Sequence, residues 1–109
     1  MVKIRVLPPT QEDIRHCIEY ARDEFGRKCV LRWKKELEAI YSRLNRFPLS
    51  YSPEPILKHF HRDYRSTQLM DNFKLIYRFD RERDEIIIVD IWYTKRSQQT
   101  LLKQFKRKL

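Results

Sequence analysis

The sequence predicts an α+β domain with an N-terminal strand, an antiparallel helical hairpin and a three-stranded antiparallel meander that completes the sheet. A basic C-terminal helix closes the chain. Two observations lead to this reading. Apolar residues recur with period 2 near the N-terminus, at helical spacing through the first half, and with period 2 again over residues 64–93. The single glycine, Gly26, and prolines at 8, 9, 48, 53 and 55 fall at the boundaries between these stretches.

The elements follow in order. Val2, Ile4 and Val6 alternate with Lys3 and Arg5, as in a half-buried strand, and Pro8-Pro9 stops it. Thr10 followed by Asp13 fits an N-terminal helix signature. Ile14, Cys17, Ile18, Ala21 and Phe25 then make one helical face, which Gly26 ends. Val30, Trp33, Leu37, Ile40, Tyr41, Leu44 and Phe47 make the next, which Pro48 closes. Residues 48–63 form a loop with one turn near Ile56, Leu57 and Phe60. Tyr64–Met70, Phe73–Phe79 and Glu85–Tyr93 are strands, joined at Asp71-Asn72 and Arg81–Asp84.

Length and composition bound the function. A chain of 109 residues makes one domain, 1–109, and 41% apolar content suffices for a core. One glycine cannot build a P-loop or a dinucleotide fingerprint. No apolar run approaches the ~18 residues that span a bilayer, and the start lacks a signal-peptide pattern, so a cytoplasmic location without membrane contact is expected. The net charge is +9, and residues 95–109 supply six basic and no acidic side chains, two thirds of that surplus. Leu101, Leu102, Phe105 and Leu109 make one apolar stripe there, leaving Lys95, Lys103, Lys106 and Arg107 to meet a polyanion.

The hairpin turn sets a register. With Asp71-Asn72 as its two residues, Thr67 faces Ile76 and Arg65 faces Arg78. One sheet face then carries Phe73, Leu75, Tyr77 and Phe79 with Ile87, Val89, Ile91 and Tyr93, packed on the helices. The other carries Arg65, Thr67, Lys74, Arg78, Asp90 and Trp92 as an open cationic concavity, with Asp90 as cross-strand partner of Lys74 and Trp92 available to stack on a base.

Other chemistries find little support. His59 and His61 are too few for a zinc site, so no metal is expected. Cys17 and Cys29 sit on consecutive helices, offset axially by roughly 9 Å at ~1.5 Å per residue. A disulfide needs Cα atoms within about 7 Å, so two reduced thiols are expected, Cys17 on the buried face. No carboxylate pair for glycoside chemistry exists, because Asp90 is the sole acid inside a strand.

The segment YRSTQLMDNFKLIYRFDRERDEIIIVDIWYTKRS, with QEDIRHCIEYARDEFG through LNRFP before it, resembles the RelE/ParE superfamily of bacterial toxins. That resemblance implies a type II toxin bound by an acidic antitoxin whose tail wraps around it, and no cofactor. RelE-like members cut messenger RNA on the ribosome, the activity expected here; ParE-like members, the alternative, inhibit DNA gyrase without cleaving RNA. A non-enzymatic RNA-binding module on the same scaffold is the third possibility. For cleavage, the resemblance nominates Lys74 at a catalytic arginine position, Arg65 at a basic one, and Lys95-Arg96 as the basic cluster after the last strand. Arg65, Lys74 and Arg96 are then the catalytic candidates, and Arg78, Trp92, Tyr93, Lys95, Lys103, Lys106 and Arg107 contact nucleic acid. The chain departs from cleaving members at Thr67, and at Leu102, near which they carry a proton-transferring tyrosine; Tyr93 is the substitute.

Overall fold

The structure, a computed structural model, describes residues 2–109. Its elements are β1 (Lys3–Val6), α1 (Pro8–Phe25), α2 (Arg27–Arg46), a 3-10 turn (Pro55–Leu57), β2 (Arg65–Leu69), β3 (Phe73–Asp80), β4 (Glu85–Tyr93) and α3 (Gln98–Arg107). The sheet order is β1-β4-β3-β2. The meander is antiparallel, but β1 runs parallel to β4, so the sheet is mixed. Period 2 assigns faces and carries no information on strand direction, which is why the sequence left β1 in an all-antiparallel sheet.

Local chemistry sets the helix ends. Pro8 is tolerated in the first turn of α1 because that N–H would lack a partner anyway. Thr10 does not cap α1 as its signature suggested. It lies inside the helix, fully buried, and its hydroxyl donates to the carbonyl of Val89 at 2.6 Å. Gly26 alone links α1 to α2, with φ 84° and ψ −170°, a conformation essentially confined to glycine. A Cβ there would meet nothing within 4 Å, so only the backbone objects. Gly26→Ala is expected to lower stability by about 1–3 kcal/mol, read from urea unfolding, without changing the fold.

The helix-facing core joins Ile14, Ala21, Trp33, Leu37, Ile40 and Leu44 to Leu69, Leu75, Tyr77, Ile86, Ile88 and Ile91. Phe47, expected on this face, follows α2 as its cap and is 60% exposed. Two register changes separate this face from its sequence reading. The β2–β3 turn takes Met70 as well as Asp71 and Asn72, with Met70 at φ 54°. Arg65 therefore opposes Tyr77 and Thr67 opposes Leu75, and one residue of slip puts every β2 side chain on the opposite face. Side chains of α2 hold that turn: Glu36 accepts from the Met70 N–H at 2.7 Å, and Arg32 donates to Asp71 at 3.0 and 3.2 Å. In β4 a bulge follows, since Ile76 pairs with Asp90 but Tyr77 with Ile88. Val89 is the extra residue, so Ile86 and Ile88, not Ile87 and Val89, face the helices.

The second face is not an open concavity. Leu101 and Phe105 of α3, with Leu57 and Tyr64, cover Ile76, Ile87, Val89 and Trp92 in a second core. Phe105 packs edge-on against Phe60, Tyr64 and Trp92 at 5.3, 4.9 and 6.2 Å between ring centroids. The apolar stripe of the tail thus closes the sheet that its charge was expected to flank.

Candidate functional site

The three catalytic candidates do not meet. Arg65 is on the helix-facing side of the sheet, where its guanidinium donates to Asp63 at 2.9 Å and to the carbonyls of Tyr51 and Leu49 at 2.7 and 3.3 Å. Those bonds tie the proline-rich loop to the edge strand. Lys74 pairs with Gln68 and Trp92 on the opposite face. Its ammonium donates to Glu54 Oε1 at 2.8 Å, and Glu54 is 1% exposed. Arg96 stands beyond β4, exposed, donating to Gln104 Oε1 at 3.2 Å.

Burial disfavours the Glu54 carboxylate, yet Lys74, the Ile56 N–H and the Ser66 hydroxyl outweigh it and hold its pKa below the usual glutamate value. Lys74 is therefore the counter-ion of a buried acid. Asp90, expected to serve Lys74, belongs to a second buried network. It accepts from Trp92 Nε1 at 2.8 Å and Gln104 Nε2 at 3.0 Å, and pairs with Lys108, which also pairs with Asp13. Trp92 is fully buried, so it stacks on side chains of the second core and not on a base. Arg78 is half-buried on the α3 side of the sheet.

The exposed candidates are Tyr93, Lys95, Arg96, Lys103, Lys106 and Arg107. Tyr93 packs against Phe73 at 5.5 Å between centroids, on the helix side, and keeps 37% of its surface exposed. Two confluent clefts, of about 740 and 500 Å³, meet there between α1, the β2–β3 turn and α3. His16, Cys17, Phe73, Tyr93 and Arg96 line both. Tyr20, Phe25, Trp33 and Arg32 extend one end, and Asp13, Gln104, Arg107 and Lys108 the other. Tyr20 and Phe25 are 63% and 69% exposed, so this end offers aromatic surface.

Cys17 and Cys29 are free thiols, both half-buried, and Cys17 reaches the cleft wall. Burial, then Asp13, raises the Cys17 pKa, which keeps it a protonated, weakly nucleophilic thiol. No group of three potential metal ligands occurs among the described residues. The cleft is thus aromatic at one end and cationic at the other, with a phenol, an imidazole and a guanidinium at its middle. His16, Tyr20 and Arg32 escaped the sequence reading because they lie on the outer faces of amphipathic helices, where they look like ordinary solvated residues.

Comparisons with known proteins agree with this architecture. The profile of a family described as the ParE toxin of type II toxin-antitoxin systems, parDE, matches residues 4–98. The sequence has no match among curated proteins. Among solved structures, the isolated RelE toxin of E. coli is similar with a TM-score of 0.61 at 14% identity, over 100% of both chains. A YoeB–YefM complex from Staphylococcus aureus gives 0.57 at 21% identity, over 85% of this chain and 97% of that one. A conserved hypothetical protein of Helicobacter pylori gives 0.54 at 20%, over 84% and 93%. At such identities the structures speak for the fold, and the profile match carries the family. The chain belongs to the ParE toxin family of type II toxin-antitoxin systems.

Proposed function

We propose that this toxin arrests growth by binding and inhibiting DNA gyrase, without cleaving RNA. One observation carries the reading: Arg65 and Lys74 stand on opposite faces of the sheet, each held by a partner of its own. Cleavage needs cations converging on the phosphate that develops charge, and a group that protonates the leaving oxygen. Leu102, half-buried beside the second core, cannot transfer a proton. A binding mechanism needs neither, and the cleft around Tyr93 and Arg96 supplies a docking surface, with Lys95, Lys103, Lys106 and Arg107 at its cationic side.

The antitoxin partner comes with the family; its acidic tail is part of this proposal, fitted to the same surplus of positive charge. The setting is the cytoplasm, where gyrase acts. No helix of the described residues is long and apolar enough to cross a membrane.

One observation favours the ribosomal alternative. Tyr93, His16, Arg96 and Arg107 share the confluent clefts, a phenol, an imidazole and two guanidiniums from four places in the chain. Induced expression with parallel readouts separates the two. Supercoiling of a reporter plasmid is expected to fall while messenger RNA stays intact; A-site cleavage products with normal supercoiling would overturn the gyrase reading.

A further inference from the structure

A second cationic site lies away from the cleft, on the sheet face that carries the second core. Arg5 of β1 and Arg78 of β3 both pair with Ile87 of β4, so the three side chains form one row on the same face. Two strand spacings separate the arginines, roughly 10 Å between Cα atoms. Arg62, from the loop before β2, is within electrostatic reach of Arg78, as is Arg5. Tyr64, its ring fixed between Phe60 and Phe105, is within electrostatic range of both Arg62 and Arg78.

Two of these three arginines stand without an ion pair among the described residues. Neither Arg62 nor Arg78 has a side-chain hydrogen bond or ion pair among the described residues, although Arg78 is half-buried. Two of the neighbouring carboxylates are taken by Arg5 and Arg65, and the third, Asp80, is within electrostatic reach of Arg78 without pairing with it. Glu85 accepts from Arg5 at 3.1 Å, Asp63 from Arg65 at 2.9 Å, and Asp80 from the N–H groups of Glu82 and Arg83 at 3.1 and 3.3 Å. A half-buried guanidinium pressed by two others is unfavourable without an anion. Burial, followed by Arg62, pulls its pKa down, and the opposing pull of Tyr64 and Asp80 does not offset it.

We propose that Arg78, Arg62 and Arg5 form a phosphate-binding site that takes the backbone of nucleic acid. Guanidinium forks match phosphate oxygens bidentately, and a run of phosphates can engage arginines spaced along a row. The site is independent of the gyrase reading, because it is tested with DNA in the absence of gyrase.

Binding of a labelled DNA duplex to the full chain is followed by fluorescence anisotropy across a salt series. Arg78→Gln and Arg62→Gln are each expected to weaken binding and to lower the salt slope by about one. Lys35→Gln, on the exposed side of α2, removes the same charge and is expected to leave the slope near that of the unaltered chain. Inorganic phosphate, against chloride at equal ionic strength, then tells whether a single phosphoryl group or the polymer backbone is the ligand. Equal slopes for all four proteins, an equal loss in Lys35→Gln, or displacement by polyglutamate as effective as by DNA would each overturn the site. Arg62 is exposed and outside the strands, so Arg62→Gln keeps the test valid should Arg78→Gln disturb the sheet.

Discussion

Lys74→Met is expected to destabilise the fold by about 3 kcal/mol, the low end of the range for breaking a buried ion pair. Glu54 would be left buried without its cation, while a third of the Lys74 side chain faces solvent and lets water offset part of the loss. Urea unfolding measures it. The same pair sets an acid limb. The folded pKa of Glu54 lies below its ordinary value of 4.5, so its stabilisation is present above about pH 4.5 and is lost as pH falls through the folded value. Glu54→Gln removes that contribution to the acid limb. A Lys74→Met protein with an unchanged urea midpoint would show that Lys74 is free to do something else.

Lys108→Met is expected to cost more, about 3–5 kcal/mol, because both Lys108 and Asp90 lie away from water, with side chains 8% and 0% exposed. The loss strands Asp90, which anchors α3 through Gln104, holds the Trp92 indole of its own strand and, through Lys108 at the end of α3, connects to Asp13 of α1. Urea unfolding of the single variants Lys108→Met and Asp90→Asn, and of the pair together, forms a double-mutant cycle. The pair is expected to cost less than the sum of the two, because neither charge is then left alone. Strict additivity would mean that the two side chains are not coupled.

Element types and order were legible because each element has its own period and its own punctuation. Gly26 ended α1, Pro48 closed the segment after α2, and the apolar run of β4 could only be a buried strand. The tail was harder, because Leu101 and Phe105 announced packing without saying on what. Register was not legible. Nothing local in the sequence distinguishes a two-residue Asp71-Asn72 turn from one that includes Met70, since Glu36 and Arg32 on α2 hold it from a distance. The bulge at Val89 is likewise fixed by Thr10, whose hydroxyl takes the freed carbonyl. Those two shifts moved Arg65 off the cationic face and exchanged Ile87 and Val89 for Ile86 and Ile88. The buried acids Glu54 and Asp90 then explain why Lys74 and Lys108 sit where an alternating pattern shows only surplus charge.

On the gyrase reading, Lys74 holds the fold and does not act on RNA. Growth arrest by the double variant Glu54→Gln/Lys74→Met tests it most directly, since the pair is removed together and the buried acid is no longer left unpaired. The expected result is a folded protein, checked by circular dichroism, that arrests growth and inhibits supercoiling as the unaltered toxin does. A double variant that folds equally well yet no longer arrests growth would contradict it.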